Sequence, residues 1–127
     1  MKSKKKEAHE KNITEKQSKP SAPPMPSNVI IDTANYKIII KDKTYINGRE
    51  CYGHIDYAKS EIEISTCEIS ESNQKITVAH EVVHGLTVER GIKELIPEQH
   101  YEKIVNELAK GFIQLVRDNP KFINYIQ

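Results

Sequence analysis

His80-Glu81-Val82-Val83-His84 is an HExxH pentapeptide inside a run, Ser72 to about Arg90, that reads as one helix. A helix turns about 100° per residue, so side chains four apart lie on one face, one turn apart. His80 and His84 can therefore aim two imidazoles at a single point. A catalytic zinc takes three protein ligands in a tetrahedron and keeps the fourth position for water. Two helical histidines supply half of that shell. Glu81, directly after the first of them, is placed to act as general base on the water.

The flanking residues support the helix. Ser72 or Asn73 can cap its start. Gly91 lies just past its expected end and suits a left-handed position there. Ile76, Ala79, Val83 and Leu86 recur at three- and four-residue steps as an apolar stripe, with both histidines at its edge. The bland alternative is two helical histidines on a half-buried face. The chain has five histidines, and two fall in this pattern with Glu between them, which favours the metal.

A second long helix is expected from Pro97 to about Arg117. Pro97 suits a first helical turn, and Asp118-Asn119-Pro120 ends the run. Tyr101, Ile104, Val105, Leu108, Phe112, Leu115 and Val116 form its apolar face. On a wheel of about 100° per residue, Glu102 lies at the edge of that face, whereas His100 and Glu107 point to solvent. Among the acidic and histidine candidates after His84, Glu102 and Glu98 face inward, and Glu98 sits close to a frayed helix start. Glu102 is therefore the expected third ligand, and Asn106, four residues on, can orient a ligating histidine. The donor that would stabilise an oxyanion is left open among Tyr101, His100 and His54.

Upstream, Val29-Ile30-Ile31 and Tyr36-Lys37-Ile38-Ile39-Ile40 read as strands split by Asp32-Thr33-Ala34-Asn35. Lys41-Asp42-Lys43 and Asn47-Gly48 are turn signals. Tyr52-Gly53-His54-Ile55-Asp56-Tyr57 and the strictly alternating Glu61-Ile62-Glu63-Ile64-Ser65 read as a hairpin. The expected fold is α+β: a small antiparallel β-sheet packed against a two-helix zinc scaffold. Cys51 and Cys67 are read as reduced and structural. His54 and Asp56 carry no metal spacing and are left as ordinary strand residues.

Residues 1–28 are different. They hold seven Lys against three Glu and four of the six Pro, net +4, which leaves −3 for the rest of a chain whose total is +1. Such a segment cannot bury enough apolar surface to offset its ordering entropy, so a disordered basic tail is expected, followed by one domain over 29–127. The negative balance of that domain argues against direct nucleic-acid binding. No apolar run follows the Lys4-Lys5-Lys6 cluster and none approaches the length of a membrane span. The chain is expected to be cytoplasmic, with no membrane partner.

The HExxH pentapeptide followed by Glu102-Lys103-Ile104-Val105-Asn106-Glu107-Leu108-Ala109 resembles the ImmA/IrrE family of metallo-endopeptidases. Their second helix has the form E-x-x-A-N-x-F-A, met here at Glu102, Asn106 and Ala109, with Val105 and Leu108 as conservative replacements. Tyr52 to Tyr57 and Asn119-Pro120 are similar to the short forms in phages and mobile elements. The resemblance spans about Val29 to Pro120. It implies a gluzincin-like Zn²⁺ site of two His and one Glu. It also implies a protein substrate, a DNA-binding repressor, as a separate polypeptide. A metal-binding regulatory protein without turnover is the alternative expectation.

Overall fold

The computed structural model describes residues 23–127. In chain order the elements are β1 (Asn28–Ile31), β2 (Ala34–Lys41), β3 (Thr44–Ile46), β4 (Arg49–Cys51), β5 (Gly53–Asp56) and β6 (Glu61–Ser65). Then come α1 (Glu71–Glu89), a 3-10 turn (Lys93–Leu95), α2 (Glu98–Asp118) and α3 (Pro120–Ile126). The chain is thus α+β, as its two kinds of periodicity predict. The tail expected over 1–28 falls largely outside the described residues. Of its last part, Met25 packs against the core and the Ser27 carbonyl accepts a hydrogen bond from the Ile38 N–H at 2.9 Å.

Four strands form one sheet in the order β1-β2-β6-β5, and β3 and β4 form a separate hairpin. The expected all-antiparallel sheet is not what forms. β1–β2 and β5–β6 are antiparallel, but β2 and β6 run parallel, with Ile38 opposite Ile62 and Ile40 opposite Ile64. Parallel neighbours need a crossover of about a dozen residues or more. The segment 42–60 provides it, carrying the β3–β4 hairpin and β5 on the way. That hairpin turns at Asn47-Gly48, both in the left-handed region (φ 51° and 79°), which is what a tight two-residue hairpin loop demands.

Alternation along the strands places Tyr36, Ile38, Ile62 and Ile64 on one face, where Ile31 and Ile55 join them in a buried cluster. Val78 and Val82 of α1 pack onto it. The opposite side of α1 meets α2 through a second cluster of Val83, Tyr101, Val105 and Ala109. The molecule is therefore layered as sheet, α1, α2, with α1 in the middle. Tyr36 fastens the first two layers: its hydroxyl donates to Glu89 Oε1 at 2.7 Å.

The helix starts two or three residues earlier than the caps expected at Ser72 or Asn73. Ser70, in extended backbone, is the N-cap, and its hydroxyl accepts from the Asn73 N–H at 3.2 Å. Gly91 does take the left-handed conformation (φ 68°). The α1 stripe is rotated from expectation. Leu86 is exposed, while Thr77, Glu81, Gly85 and Thr87 are buried, because a middle layer is covered on two sides. On α2 only Tyr101, Val105 and Ala109 are buried, and Ile104, Leu108, Phe112, Leu115 and Val116 stay exposed. The short α3 was not anticipated. Asn119 breaks the α2 backbone (φ −132°, ψ 59°), and Pro120 opens the new helix, where its missing N–H costs nothing. Cys51 and Cys67 are free thiols. No helix among the described residues is long and apolar enough to cross a membrane.

Candidate metal centre

One turn of α1 separates His80 from His84, and their Nε2 atoms approach to 3.0 Å. The first turns of α2, across the inter-helix contact, bring in Glu102. Its Oε2 lies 3.4 Å from His80 Nε2 and its Oε1 3.2 Å from His84 Nε2. Among the described residues, these three form a group whose donor atoms all lie within 4.8 Å of one another and could hold a metal ion.

The spacing can be checked against coordination chemistry. Metal–ligand bonds of about 2.0–2.1 Å at tetrahedral angles separate neighbouring ligand atoms by about 3.3 Å. Here the two ring nitrogens are 3.0 Å apart, and each meets a different oxygen of the Glu102 carboxylate, at 3.4 and 3.2 Å, so all three side chains reach one point. Two neutral imidazoles and a carboxylate are also the donor set that suits zinc, whereas magnesium and calcium prefer all-oxygen shells. The residues present therefore fit a divalent ion of the zinc type.

The two histidines differ in surroundings. His84 is 7 % exposed, and burial pulls its imidazolium pKa below the ordinary value, with Glu102 acting in the opposite sense. A neutral imidazole is the ligating form. Its Nδ1 lies 3.0 Å from the Tyr101 hydroxyl, which also contacts Thr87 Oγ1 at 2.5 Å. Glu102 keeps most of its side chain in solvent, so the group sits at the floor of an open cleft.

Glu81 is the buried carboxyl of the site, 6 % exposed. Burial, and secondarily the Glu102 carboxylate, push its pKa up to about 7. Its burial depends on a close approach by β5. A Cβ at Gly53 would lie 2.6 Å from Thr77 Cγ2 and 3.2 Å from Glu81 Cγ, so only bare backbone passes there. Gly inside a strand pattern signals such an approach, and that signal was present in the sequence. A carboxyl titrating near neutrality can both take up and release a proton under working conditions.

These groups line a cleft of about 950 Å³, together with His54, Ile55, Tyr57, Lys93 and Ile96. Lys93 Nζ lies over the Tyr57 and Tyr101 rings, 5.6 and 5.2 Å from their centroids. The Tyr57 hydroxyl is held well above the ordinary phenol range, first by burial and then by Tyr101.

Every residue picked from sequence can now be placed. His80, His84 and Glu102 converge, and Glu81 lies beside them. Glu98 lines the same cleft but lies outside the ligand group. Asn106 borders a second depression with His80, Glu81 and Lys110. Among the described residues, the hydrogen bond to a ligating ring comes instead from Tyr101. His54 lines the cleft, and His100 is exposed. Sequence reading did not single out Thr87, Gly53, Tyr57 or Lys93. Compared with family models, curated proteins and solved structures, the chain matches none of them.

Proposed function

We propose that the chain is a zinc-dependent endopeptidase. The observation that carries this reading is the convergence of His80 Nε2, His84 Nε2 and the Glu102 carboxylate within 4.8 Å of one another, with the buried carboxyl of Glu81 adjoining them. In this reading α1 and α2 are the two-helix scaffold of a gluzincin-like site. Three protein ligands leave one position for water, the arrangement of a catalytic rather than a structural zinc. A zinc ion held there supplies Lewis-acid chemistry, lowering the pKa of water to about 7 and polarising a carbonyl.

The rest is done by the chain itself. Glu81 Oε accepts a proton from the attacking water and afterwards delivers it to the leaving amine. β5 supports an extended peptide as substrate: it stands at the margin of the sheet, bonded to a strand on one side only, and Gly53, His54 and Ile55 line the cleft. Backbone pairing with such a margin is how extended peptides commonly dock. A DNA-binding repressor as the natural substrate rests on the resemblance to the ImmA/IrrE family alone.

The decisive variant is Glu81→Gln. Zinc content should persist at the wild-type level while peptide cleavage falls by about 10²- to 10⁴-fold. Cleavage retained at the wild-type rate would reject Glu81 as the base. A second reading, a metal-binding regulatory protein without turnover, is favoured by one observation. The Tyr101 hydroxyl, a candidate oxyanion donor, is engaged with His84 and Thr87. Zinc binding with no cleavage of either casein or a DNA-binding regulator would support that reading over the peptidase.

A further inference from the structure

The hydroxyl groups of Thr87 and Tyr101 form a closed path that starts and ends on His84. Thr87 Oγ1 lies 2.7 Å from the His84 carbonyl oxygen, 2.5 Å from Tyr101 Oη, and Tyr101 Oη lies 3.0 Å from His84 Nδ1. The directions follow from what each group can do. A carbonyl oxygen only accepts, so the single Thr87 proton goes to His84 O. Thr87 Oγ1 can then only accept from Tyr101. With its own proton directed to Thr87, the Tyr101 oxygen can only accept from His84 Nδ1.

We infer that Tyr101 and Thr87 are positioning residues that hold His84 in the tautomer with its proton on Nδ1, so that Nε2 presents a lone pair to the metal. The inference rests on the metal-centre reading and on the bonds to Nδ1, which act against the pull of Glu102 Oε1, 3.2 Å from Nε2. Two features make the path binding rather than incidental. Thr87, Tyr101 and His84 are 3 %, 8 % and 7 % exposed, so water cannot readily substitute for a missing partner. The path also spans two helices, since Thr87 and His84 are on α1 and Tyr101 is on α2. The tautomer is thus set by the same inter-helix contact that delivers Glu102. Thr87 is the switch of the path. Without its oxygen, the Tyr101 proton is free to turn toward Nδ1, which would then accept and leave the proton on Nε2.

The test uses the 127-residue chain in two measurements. In metal-free protein near pH 8, nitrogen NMR of the His84 ring should show a protonated Nδ1 and an unprotonated Nε2. In Zn²⁺ titrations, Thr87→Val, which keeps the shape and removes the hydroxyl, should lose about 10- to 100-fold in affinity, the usual cost of removing an outer partner of a ligating histidine. Thr87→Ser, which keeps the hydroxyl, should bind within about threefold of wild type on the same scale. An Nε2-protonated His84 in the wild type overturns the inference, as does wild-type affinity in Thr87→Val or an equal loss in both variants. A wild type that binds no Zn²⁺ would reject the metal centre, and the NMR measurement, made without metal, would still decide the tautomer.

Discussion

α1 and α2 are close in length, 19 and 21 residues, and opposite in how pattern relates to burial. α2 has the cleaner apolar stripe, yet beyond Ala109 that stripe faces solvent through Phe112, Leu115 and Val116. α1 has polar residues on every side, yet it is the middle layer and buries Thr77, Glu81, His84 and Thr87. An amphipathic pattern says that a helix has a side to cover. It does not say over what length a neighbour covers it, or that a helix buried on both sides must be apolar. Where α1 buries polar groups, Thr77, His84 and Thr87 are hydrogen-bonded, to the Asn73 carbonyl, to Tyr101 and to the His84 carbonyl, while Glu81 lines the wall of the cleft. Burial without pairing would cost about 1–3 kcal/mol per group, so a polar middle helix is viable only with such partners.

The largest test of this contrast is a metal titration, because the residues that could hold an ion come from both helices. At free Zn²⁺ about a thousandfold above Kd, binding should stabilise the fold by about 4 kcal/mol, read as a rise in thermal midpoint that EDTA reverses. Glu102→Ala should remove most of that rise. A midpoint indifferent to Zn²⁺ would mean that the two helices are joined by packing alone.

Next comes the covered half of α2. Val105 is 0 % exposed, and Val105→Ala should cost about 2 kcal/mol in urea denaturation, from lost burial and the cavity left behind. A cost below about 0.5 kcal/mol would place Val105 on a surface rather than in a core.

α1 is also fastened to the sheet by Tyr36, whose phenol is raised to about 12 by burial first and then by its bond to Glu89. A group whose folded pKa is raised contributes stability that is complete below its unfolded value and is lost as pH rises through the folded one. Stability should therefore fall as pH rises from about 10, the ordinary phenol value, through 12. Tyr36→Phe should cost about 1.5 kcal/mol at neutral pH. It should also flatten that alkaline slope, and an unchanged slope would assign the loss to other groups.

The smallest effect belongs to the overhang. Leu108 is 55 % exposed, and Leu108→Ala should change stability by no more than about 0.5 kcal/mol. A loss comparable to that of Val105→Ala would show that something covers this face in solution.

The chain's own periodicities determined a good part of this protein. The four-residue step from His80 to His84 aligns two imidazoles on any α-helix, Asn47-Gly48 demands a tight reversal, and Glu61 to Ser65 alternates because one face of its strand is covered. These are properties of one segment at a time, fixed by backbone geometry within a turn or two. The helical wheel also favoured Glu102 over Glu98, but the tertiary structure alone decided that β6 pairs parallel to β2 and that Glu102 reaches both histidine rings across the inter-helix contact. It also decided that Gly53 lets β5 reach Glu81, and that Tyr101 meets the far nitrogen of His84. Each of those facts depends on the offset between two elements distant in sequence, and a shift of one helical turn would change the partner without changing either segment's pattern.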